Sequence, residues 1–213
     1  MSAALEQRIA EALLRIGAVG LRPNDPFTWT SGIKSPIYCD NRLTISYPEV
    51  RNLIADGFAS IIREHYPQTE VIAGIATGGI PHGAWVADRL NLPMIYIRDK
   101  AKGHGKQNVI EGLLQPGQKV VCIEDLFSTG GSSLKASTAV REAGAEVIAT
   151  LSIFTYQFQQ CSDSFAEAGI PIASLSNYST LIDVALQEGR ITEGDLASLR
   201  MWRENPSAYR APE

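Results

Sequence analysis

The residues best suited to chemistry lie between Val120 and Ser133, in the segment VVCIEDLFSTGGSS. Two adjacent carboxylates, Glu124 and Asp125, follow an apolar run, and hydroxyl-bearing residues and glycines come directly after them. Backbone N–H groups and hydroxyls at the start of a helix bind phosphate monoesters, and glycines let the backbone approach the anion closely. Carboxylates accept hydrogen bonds from sugar hydroxyls. The segment therefore favours a ligand with both a phosphate and hydroxyls, such as a ribose 5-phosphate.

Two common phosphate-binding loops do not fit this segment. The chain has no GxxxxGK[ST] sequence, which is typical of nucleoside-triphosphate loops, and no GxGxxG dinucleotide fingerprint. The plainer alternative is a strand, a turn and an N-capped helix whose acids only face solvent. The order of acids, hydroxyls and glycines after an apolar strand argues against it, because it supplies both halves of a sugar-phosphate site.

A second candidate is a run of cations interrupted by Gly103 and Gly105 and made up of Arg98, Lys100, Lys102, His104 and Lys106. Such a loop is attractive to polyanions. By closing over a site it neutralises the growing charge of a phosphate leaving group and excludes water. The alternative is a solvated basic loop that touches RNA.

A third candidate is the turn Thr77-Gly78-Gly79, which follows the apolar run 71–76. Its backbone N–H groups are suited to a diphosphate. Glycine pairs are also common in tight turns without any ligand, and that reading stays open.

The elements that must position these segments alternate along the chain. Short apolar runs predict strands at 71–76, 94–97, 120–124 and 146–154, and the intervening patterns predict helices at 80–90 and 130–143. Strands that are apolar without alternation are typical of a parallel sheet covered on both faces, and alternating strands and helices indicate a doubly wound α/β fold. Ligands bind at the carboxyl ends of such strands, which is where all three candidate segments lie.

The N-terminal part is predicted to form an amphipathic helix over 3–16 and a hairpin over 27–39 around a Ser31-Gly32 turn. Pro48 suits the first turn of a helix that extends to about His65. We expect one domain over 1–213. Its parts are an N-terminal helix and small hood at about 1–45, an α/β core at about 46–190, and a C-terminal helix and tail at about 191–213.

Composition sets limits on the function classes. The 213 residues are 45% hydrophobic and 20% charged, as in ordinary globular proteins, and acidic residues outnumber basic ones by 23 to 19, which disfavours broad nucleic-acid binding. Three cysteines far apart in the sequence predict reduced thiols rather than a disulfide framework or a zinc site. Charges break up the N-terminal apolar pattern, and no run reaches the length of a membrane span, so we expect a cytoplasmic protein without membrane contact.

The segment 120–133 resembles the phosphoribosyl pyrophosphate (PRPP) motif of type I phosphoribosyltransferases. Three further segments are similar to segments of the orotate phosphoribosyltransferases. FTWTSGIKSPIYCDNR (27–42) is similar to their hood segment, and IATGGIPHGAWVADRL (75–90) is similar to their pyrophosphate-binding turn and the helix after it. RDKAKGHGKQNVIEG (98–112) is similar to their mobile catalytic loop. The first motif indicates only the superfamily. The hood and the Arg-x-x-x-Lys-x-His loop narrow the resemblance to the orotate enzymes, and they imply the same fold, a central mostly parallel sheet flanked by helices with a small N-terminal hood.

The resemblance also implies residue roles. The implied PRPP-binding residues are Thr77, Gly78, Gly79, Arg98, Lys102, His104, Glu124, Asp125, Leu126, Phe127, Ser128, Thr129, Gly130, Gly131 and Ser132. The implied orotate-binding residues are Tyr38, Cys39 and Ser128, and for Tyr38 a packed hairpin aromatic is the alternative. The implied catalytic residues are Lys102, His104 and Asp125.

The implied reaction transfers the phosphoribosyl group of PRPP to orotate in pyrimidine biosynthesis. Mg²⁺ is expected as the cofactor, held through PRPP rather than directly by the protein. The expected active unit is a homodimer with shared sites, in which the cationic loop reaches the neighbouring subunit. Two rivals stay open, namely a phosphoribosyltransferase for another base and a PRPP-sensing regulator that binds nucleic acid.

Overall fold

A sheet of six strands forms the centre of the computed structural model, which describes residues 2–28, 32, 34–99 and 109–206. The strands of the molecule are β1 (Val19–Leu21), β2 (Phe27–Thr28), β3 (Lys34–Ser35), β4 (Ile37–Cys39), β5 (Val71–Ile75), β6 (Met94–Ile97), β7 (Ile110–Glu111), β8 (Lys119–Phe127), β9 (Glu146–Thr155) and β10 (Ile172–Asn177). The helices are α1 (Ala3–Arg15), α2 (Pro48–His65), α3 (Gly79–Leu90), α4 (Gly131–Glu142), α5 (Gln159–Glu167), α6 (Tyr178–Gln187) and α7 (Glu193–Glu204), with a 3-10 helix at Asn41–Ser46.

The strand order in the central sheet is β10-β9-β8-β5-β6-β7. All neighbours are parallel except β6 and β7, which confirms the mostly parallel sheet. After β5 the chain builds β6 on one side of it, and later places β8 on the other side. The chain therefore reverses its direction across the sheet between β5 and β8, and such a switch point opens a ligand-binding crevice at the carboxyl ends of the strands.

Both faces of the sheet are covered by helices. Successive strand residues point to opposite faces, so Val121 packs in the core shared with α1, α2, α3 and α6, while Val120 packs in the core shared with α4 and α5. Every residue of β5 is buried. This double coverage is why the strands read as continuous apolar runs in the sequence.

The N-terminal hood consists of two small antiparallel pairs. β2 pairs with β3 as the predicted hairpin, while its Ser31 turn falls among residues outside the described part. β4 pairs instead with β1, with Val19 opposite Cys39.

The limits of the predicted helices and strands agree with the structure to within one residue, except at β8 and in the hairpin predicted over 27–39, whose last part, β4, pairs with β1. The prediction that β8 ends at Glu124 is wrong, because this strand continues to Phe127. The division of the chain into hood, core and tail stays a prediction.

Candidate functional site

The carboxyl end of β8 extends past its neighbour β5. Pairing between the two strands ends at Gly74 and Ile123, whereas pairing with β9 continues through Phe127 opposite Thr155. Residues 124–127 therefore have a strand partner on one side only. The paired acids lie on this single-sided extension, beside the switch point between β5 and β8.

Both backbone groups of Asp125 bond to side chains instead of a strand. Its N–H donates to Oε1 of Glu124 at 2.9 Å, and its carbonyl accepts from Nδ2 of Asn41 at 2.6 Å. Buried backbone groups need such partners, and here the missing strand is replaced by an acid on one side and an amide on the other. The position of Asp125 is thus fixed by side chains.

Glu124 is turned into the protein. Its residue is only 5% exposed, and Oε2 accepts a hydrogen bond from the Ser133 hydroxyl at 2.8 Å. Burial, and then the neighbouring Asp125, raise the pKa of the Glu124 carboxyl well above its ordinary value, because both disfavour the charged form. Lone pairs on its oxygens still leave capacity for a further donor.

The Asp125 carboxylate lies against the turn that follows β5. A methyl group added at Gly78 would overlap this carboxylate, and one added at Gly79 would overlap the carbonyl oxygen of Ile123. The peptide bond from Ala76 to Thr77 is cis. The turn and the acid pair therefore form one continuous surface at the switch point.

The segment after β8 has the layout expected of a phosphate loop. Ser128 is partly exposed, Thr129 and Ser132 are exposed, and α4 begins at Gly131, where an added methyl group would meet nothing within 4 Å. The N–H groups of the first turn of α4 are therefore available to an anion.

Three further members of the predicted PRPP set are less open. Gly130 has a φ of 81°, and an added methyl group would lie 2.6 Å from the Cys161 sulfur. Phe127 is buried in the core, and Leu126 is partly buried. A PRPP contact at these positions would have to come from backbone groups, and it stays a prediction.

The two hood residues predicted to bind orotate point in opposite directions. On β4, Cys39 lies on the side of the acids, where burial and the carboxylates of Asp125 and Asp40 raise the pKa of its thiol. Tyr38 is 46% exposed and its ring lies 5.7 Å from that of Phe27. Side chains alternate along a strand, so only the Cys39 side chain faces the acid pair. Both orotate contacts stay predictions.

The described ends of the cationic loop meet each other. Arg98 forms an ion pair with Glu111 at 2.9 Å, and the Arg98 N–H donates to the Val109 carbonyl at 2.8 Å. Lys102 and His104 lie outside the described residues, so their roles stay predictions.

Asn41 and Ser133 hold the acids, and neither role can be read from the sequence. Ser133 belongs to a hydroxyl-rich helix start, which does not indicate that it bonds to Glu124. Asn41 stands in an ordinary DNR segment and bonds to a residue 84 positions away. No local pattern could have identified it.

A cavity of about 370 Å³ is lined by residues of β8, β9, β10 and α5. Phe127, Cys161 and Asn177 are among its lining residues, whereas Asp125 and Gly78 are not. The candidate site is thus an open crevice rather than this cavity.

Within residues 2–28, 32, 34–99 and 109–206, no cluster of three or more His, Cys, Asp or Glu side chains is arranged to hold a metal ion. Over the same residues, no helix is both long and apolar enough to span a membrane.

The chain is similar to proteins of known family. Residues 46–163 match the family model of the phosphoribosyl transferase domain. The chain is 57% identical to orotate phosphoribosyltransferase of Halalkalibacterium halodurans over 96% of its own length and 97% of that protein. Among solved structures, it is similar to UMP synthase of Leishmania donovani, with a TM-score of 0.79, 28% identity and coverage of 95% of this chain and 42% of that chain. It is also similar to orotate phosphoribosyltransferase of Aeropyrum pernix, with a TM-score of 0.74, 28% identity and coverage of 86% and 99%.

Proposed function

The chain belongs to the orotate phosphoribosyltransferase family, and on that premise we propose that it transfers the phosphoribosyl group of PRPP to orotate. The products are orotidine 5′-phosphate and pyrophosphate, and the reaction is a step of pyrimidine (UMP) biosynthesis. The observation that carries the proposal is the contact of the Asp125 carboxylate with Gly78. Because of it, a sugar-binding acid and a diphosphate turn belong to one site.

The three parts of PRPP fit three neighbouring groups. The ribose hydroxyls donate to Asp125 and Glu124, the 5-phosphate accepts from the loop Ser128–Ser132, and the diphosphate accepts from the turn Thr77–Gly79. Each of these segments ends or follows β5 or β8, so their spacing is set by the rigid sheet. Such fixed positioning converts binding energy into the alignment of reacting atoms.

The chemistry is a substitution at C1 of the ribose. The bond from C1 to the pyrophosphate oxygen breaks toward an oxocarbenium-like state, and N1 of the orotate anion then forms the new bond to C1. Arg98, Lys102 and His104 are proposed to neutralise the charge that develops on the pyrophosphate. The Asp125 carboxylate favours the positive charge that develops on the ribose, because a negative charge lies beside it.

Mg²⁺ is proposed as the cofactor, bound mainly through PRPP oxygens. The residues present suit such an ion, since Mg²⁺ prefers oxygen ligands and keeps several waters, and the carboxylate of Asp125 lies directly at the diphosphate turn. When bound, the ion withdraws charge from the leaving pyrophosphate. Asp125 would orient the ribose and its ion, either directly or through water.

The direct test is consumption of orotate by the purified protein with PRPP and Mg²⁺, followed by absorbance. Turnover with orotate and none with adenine, guanine, hypoxanthine or uracil supports the proposal. Turnover with one of those bases instead would favour a phosphoribosyltransferase of different specificity. Tight binding of RNA or DNA without turnover of any base would favour a regulator.

We further propose a homodimer in which each cationic loop serves the neighbouring site. The test is complementation between Lys102→Ala and Asp125→Asn, each of which is inactive alone. In a mixed dimer one site receives an intact loop and intact acids, so about a quarter of all sites recover after random exchange of subunits in a two-fold dimer. Mixed dimers that form, as seen by native mass spectrometry, but stay inactive would place the loop in its own subunit. A cytoplasmic location stays a prediction.

A further inference from the structure

The hood contributes a buried group to the acid end of β8. Asn41 is the first residue of the 3-10 helix that follows β4, and it is 1% exposed. Its amide nitrogen donates to the Asp125 carbonyl at 2.6 Å, on the edge that β5 leaves without a strand. The Asp125 N–H on the same residue is held by Glu124. Asn41 is therefore one of two side chains that take the place of the missing strand.

Asn41 is itself held by a buried chain of hydrogen bonds. The Thr44 hydroxyl donates to the Asn41 carbonyl at 2.6 Å and lies 3.1 Å from Nε2 of His82. A hydroxyl has one proton, so His82 must donate from Nε2 to the Thr44 oxygen. Thr44 and His82 are both 0% exposed.

This chain of hydrogen bonds reaches the diphosphate turn. His82 lies in the first turn of α3, which begins at Gly79. Burial lowers the pKa of His82 to about 4, so the imidazole is neutral at physiological pH and keeps the donor role that the hydrogen bonds require. The hood, the acid and the turn are thus joined by Asn41, Thr44 and His82.

The same residues leave two buried acceptors without a hydrogen-bond partner among the described residues. These atoms are Oδ1 of Asn41 and Nδ1 of His82. A buried polar atom without a partner costs stability, and an apolar group in its place would avoid that cost. Buried polar groups that lower the stability of the fold are expected at functional sites, where their hydrogen bonds position other residues.

We propose that Asn41 is a positioning residue for PRPP, which sets the Asp125 carboxylate at the diphosphate turn by holding the Asp125 carbonyl. The inference rests on the proposed function, because it assigns the acid to the ribose of PRPP. Asn41 acts through Asp125 and needs no contact with the substrate. Thr44 and His82 support it from the side of α3.

The main test is the substitution Asn41→Asp, which keeps the shape of the side chain but removes the donor to Asp125. We expect the Kd for PRPP in the presence of Mg²⁺, measured by calorimetry without orotate, to rise about tenfold, with a similar rise in KM for PRPP. Calorimetric stoichiometry reports the folded fraction, so a loss of folded protein is distinguished from a loss of affinity.

The matched control is Tyr178→Phe. The Tyr178 hydroxyl donates to the Leu199 carbonyl at 2.9 Å, and this buried bond joins α6 and α7 away from the acids. The control loses one buried hydrogen bond to a backbone carbonyl, as Asn41→Asp does. We expect its PRPP Kd to stay within about twofold of wild type, since its loss affects only stability.

A second pair of variants keeps the test decisive if Asn41→Asp does not fold. Thr44→Val removes the hydroxyl that holds Asn41, whereas Thr44→Ser keeps it. We expect Thr44→Val to raise the PRPP Kd about threefold and Thr44→Ser to restore it.

The positioning role would be overturned if folded Asn41→Asp binds PRPP as tightly as wild type. If that variant does not fold, equal PRPP Kd values for Thr44→Val and Thr44→Ser would overturn it. Failure of the wild-type protein to bind PRPP would instead overturn the proposed function. The two failures are therefore separable.

Discussion

The turn after β5 and the loop after β8 both contain a pair of glycines, but the physical reason why a side chain is absent differs between the two pairs. At Gly78 and Gly79, an added methyl group would overlap the Asp125 carboxylate and the Ile123 carbonyl, respectively. At Gly131 an added methyl group would meet nothing within 4 Å, while its neighbour Gly130 has a φ of 81°. The first pair is therefore required by close packing against β8. No described protein atom accounts for the missing side chain of Gly131, which is where we propose that the phosphate approaches.

This difference separates the architecture of the site from its ligand contacts. In the proposed site, the turn at 77–79 must contact β8 so that Asp125 and the diphosphate group lie close together. Its glycines therefore serve both the packing of the turn and the binding of the ligand. The loop at 128–132 lies at the open side of the crevice. Substitutions in the turn should therefore affect folding and activity together, whereas a substitution at the open position Gly131 of the loop should affect binding alone.

The largest effect is expected from Gly79→Ala. The added methyl group meets a backbone carbonyl of the central strand, which has no freedom to move aside. We expect a loss of about 3 kcal/mol or more in the free energy of unfolding, together with most of the activity. Denaturant titration measures the loss. An unfolding midpoint equal to that of wild type would mean that the turn does not pack on β8 as described.

The next effect is that of Asp125→Asn, which changes the group between the two segments. Loss of a charged hydrogen-bond partner should weaken PRPP binding by on the order of 1.5–3 kcal/mol, with a matching loss of turnover. Stability should not fall, because the like charge next to buried Glu124 is removed. Asp88→Asn, at an exposed position of α3, is the control. Unchanged PRPP affinity in calorimetry would remove Asp125 from the ribose site.

Glu124→Gln is expected to have a smaller effect and, unlike Gly79→Ala, to raise the free energy of unfolding. The folded protein raises the pKa of this carboxyl above its unfolded value, so its contribution to stability is fully present below about pH 4.3 and declines as the pH rises. The neutral variant avoids that decline. We expect it to be more stable than wild type by on the order of 1 kcal/mol at pH 8, with no gain near pH 4, and to be less active. A stability difference that does not depend on pH would contradict the raised pKa of the buried Glu124 carboxyl.

The smallest effect on the free protein is expected from Gly131→Ala. The site is open and its backbone is helical, so the free energy of unfolding should stay within about 0.5 kcal/mol of wild type or rise slightly. PRPP affinity should nevertheless fall, because the methyl group takes space needed by the phosphate. Calorimetry with PRPP, and with ribose 5-phosphate as the shorter ligand, checks this. Wild-type affinity for both ligands would show that the phosphate does not approach Gly131.

Much of the site could be predicted because its signals are local. The apolar runs at 71–76 and 120–124 indicate parallel strands, since a strand covered on both faces cannot alternate. The acids, hydroxyls and glycines between Glu124 and Ser132 specify a sugar-phosphate ligand by their order alone. Their placement at the carboxyl ends of neighbouring strands follows from the fold class.

The end of β8 could not be predicted in the same way. Residues Leu126 and Phe127 continue the strand because β9 extends alongside them, with Phe127 opposite Thr155. Whether a strand stops at its acids or passes them depends on the length of its neighbour. That length is a property of another segment of the chain.

The sequence by itself determined four parallel strands of the sheet and the ligand class, and it predicts the residues that bind this ligand, because periodicity and residue order act over a few positions. Only the tertiary structure decided how Asp125 is held and what it touches. Its carbonyl bonds to Asn41 at a separation of 84 residues, and its carboxylate lies on Gly78, which is separated from it in the chain by α3, β6 and β7. Such contacts arise because β8 extends beyond β5 and leaves backbone groups that must find partners elsewhere. A requirement of that kind is created by packing, and no local pattern of residues encodes which distant side chain will meet it.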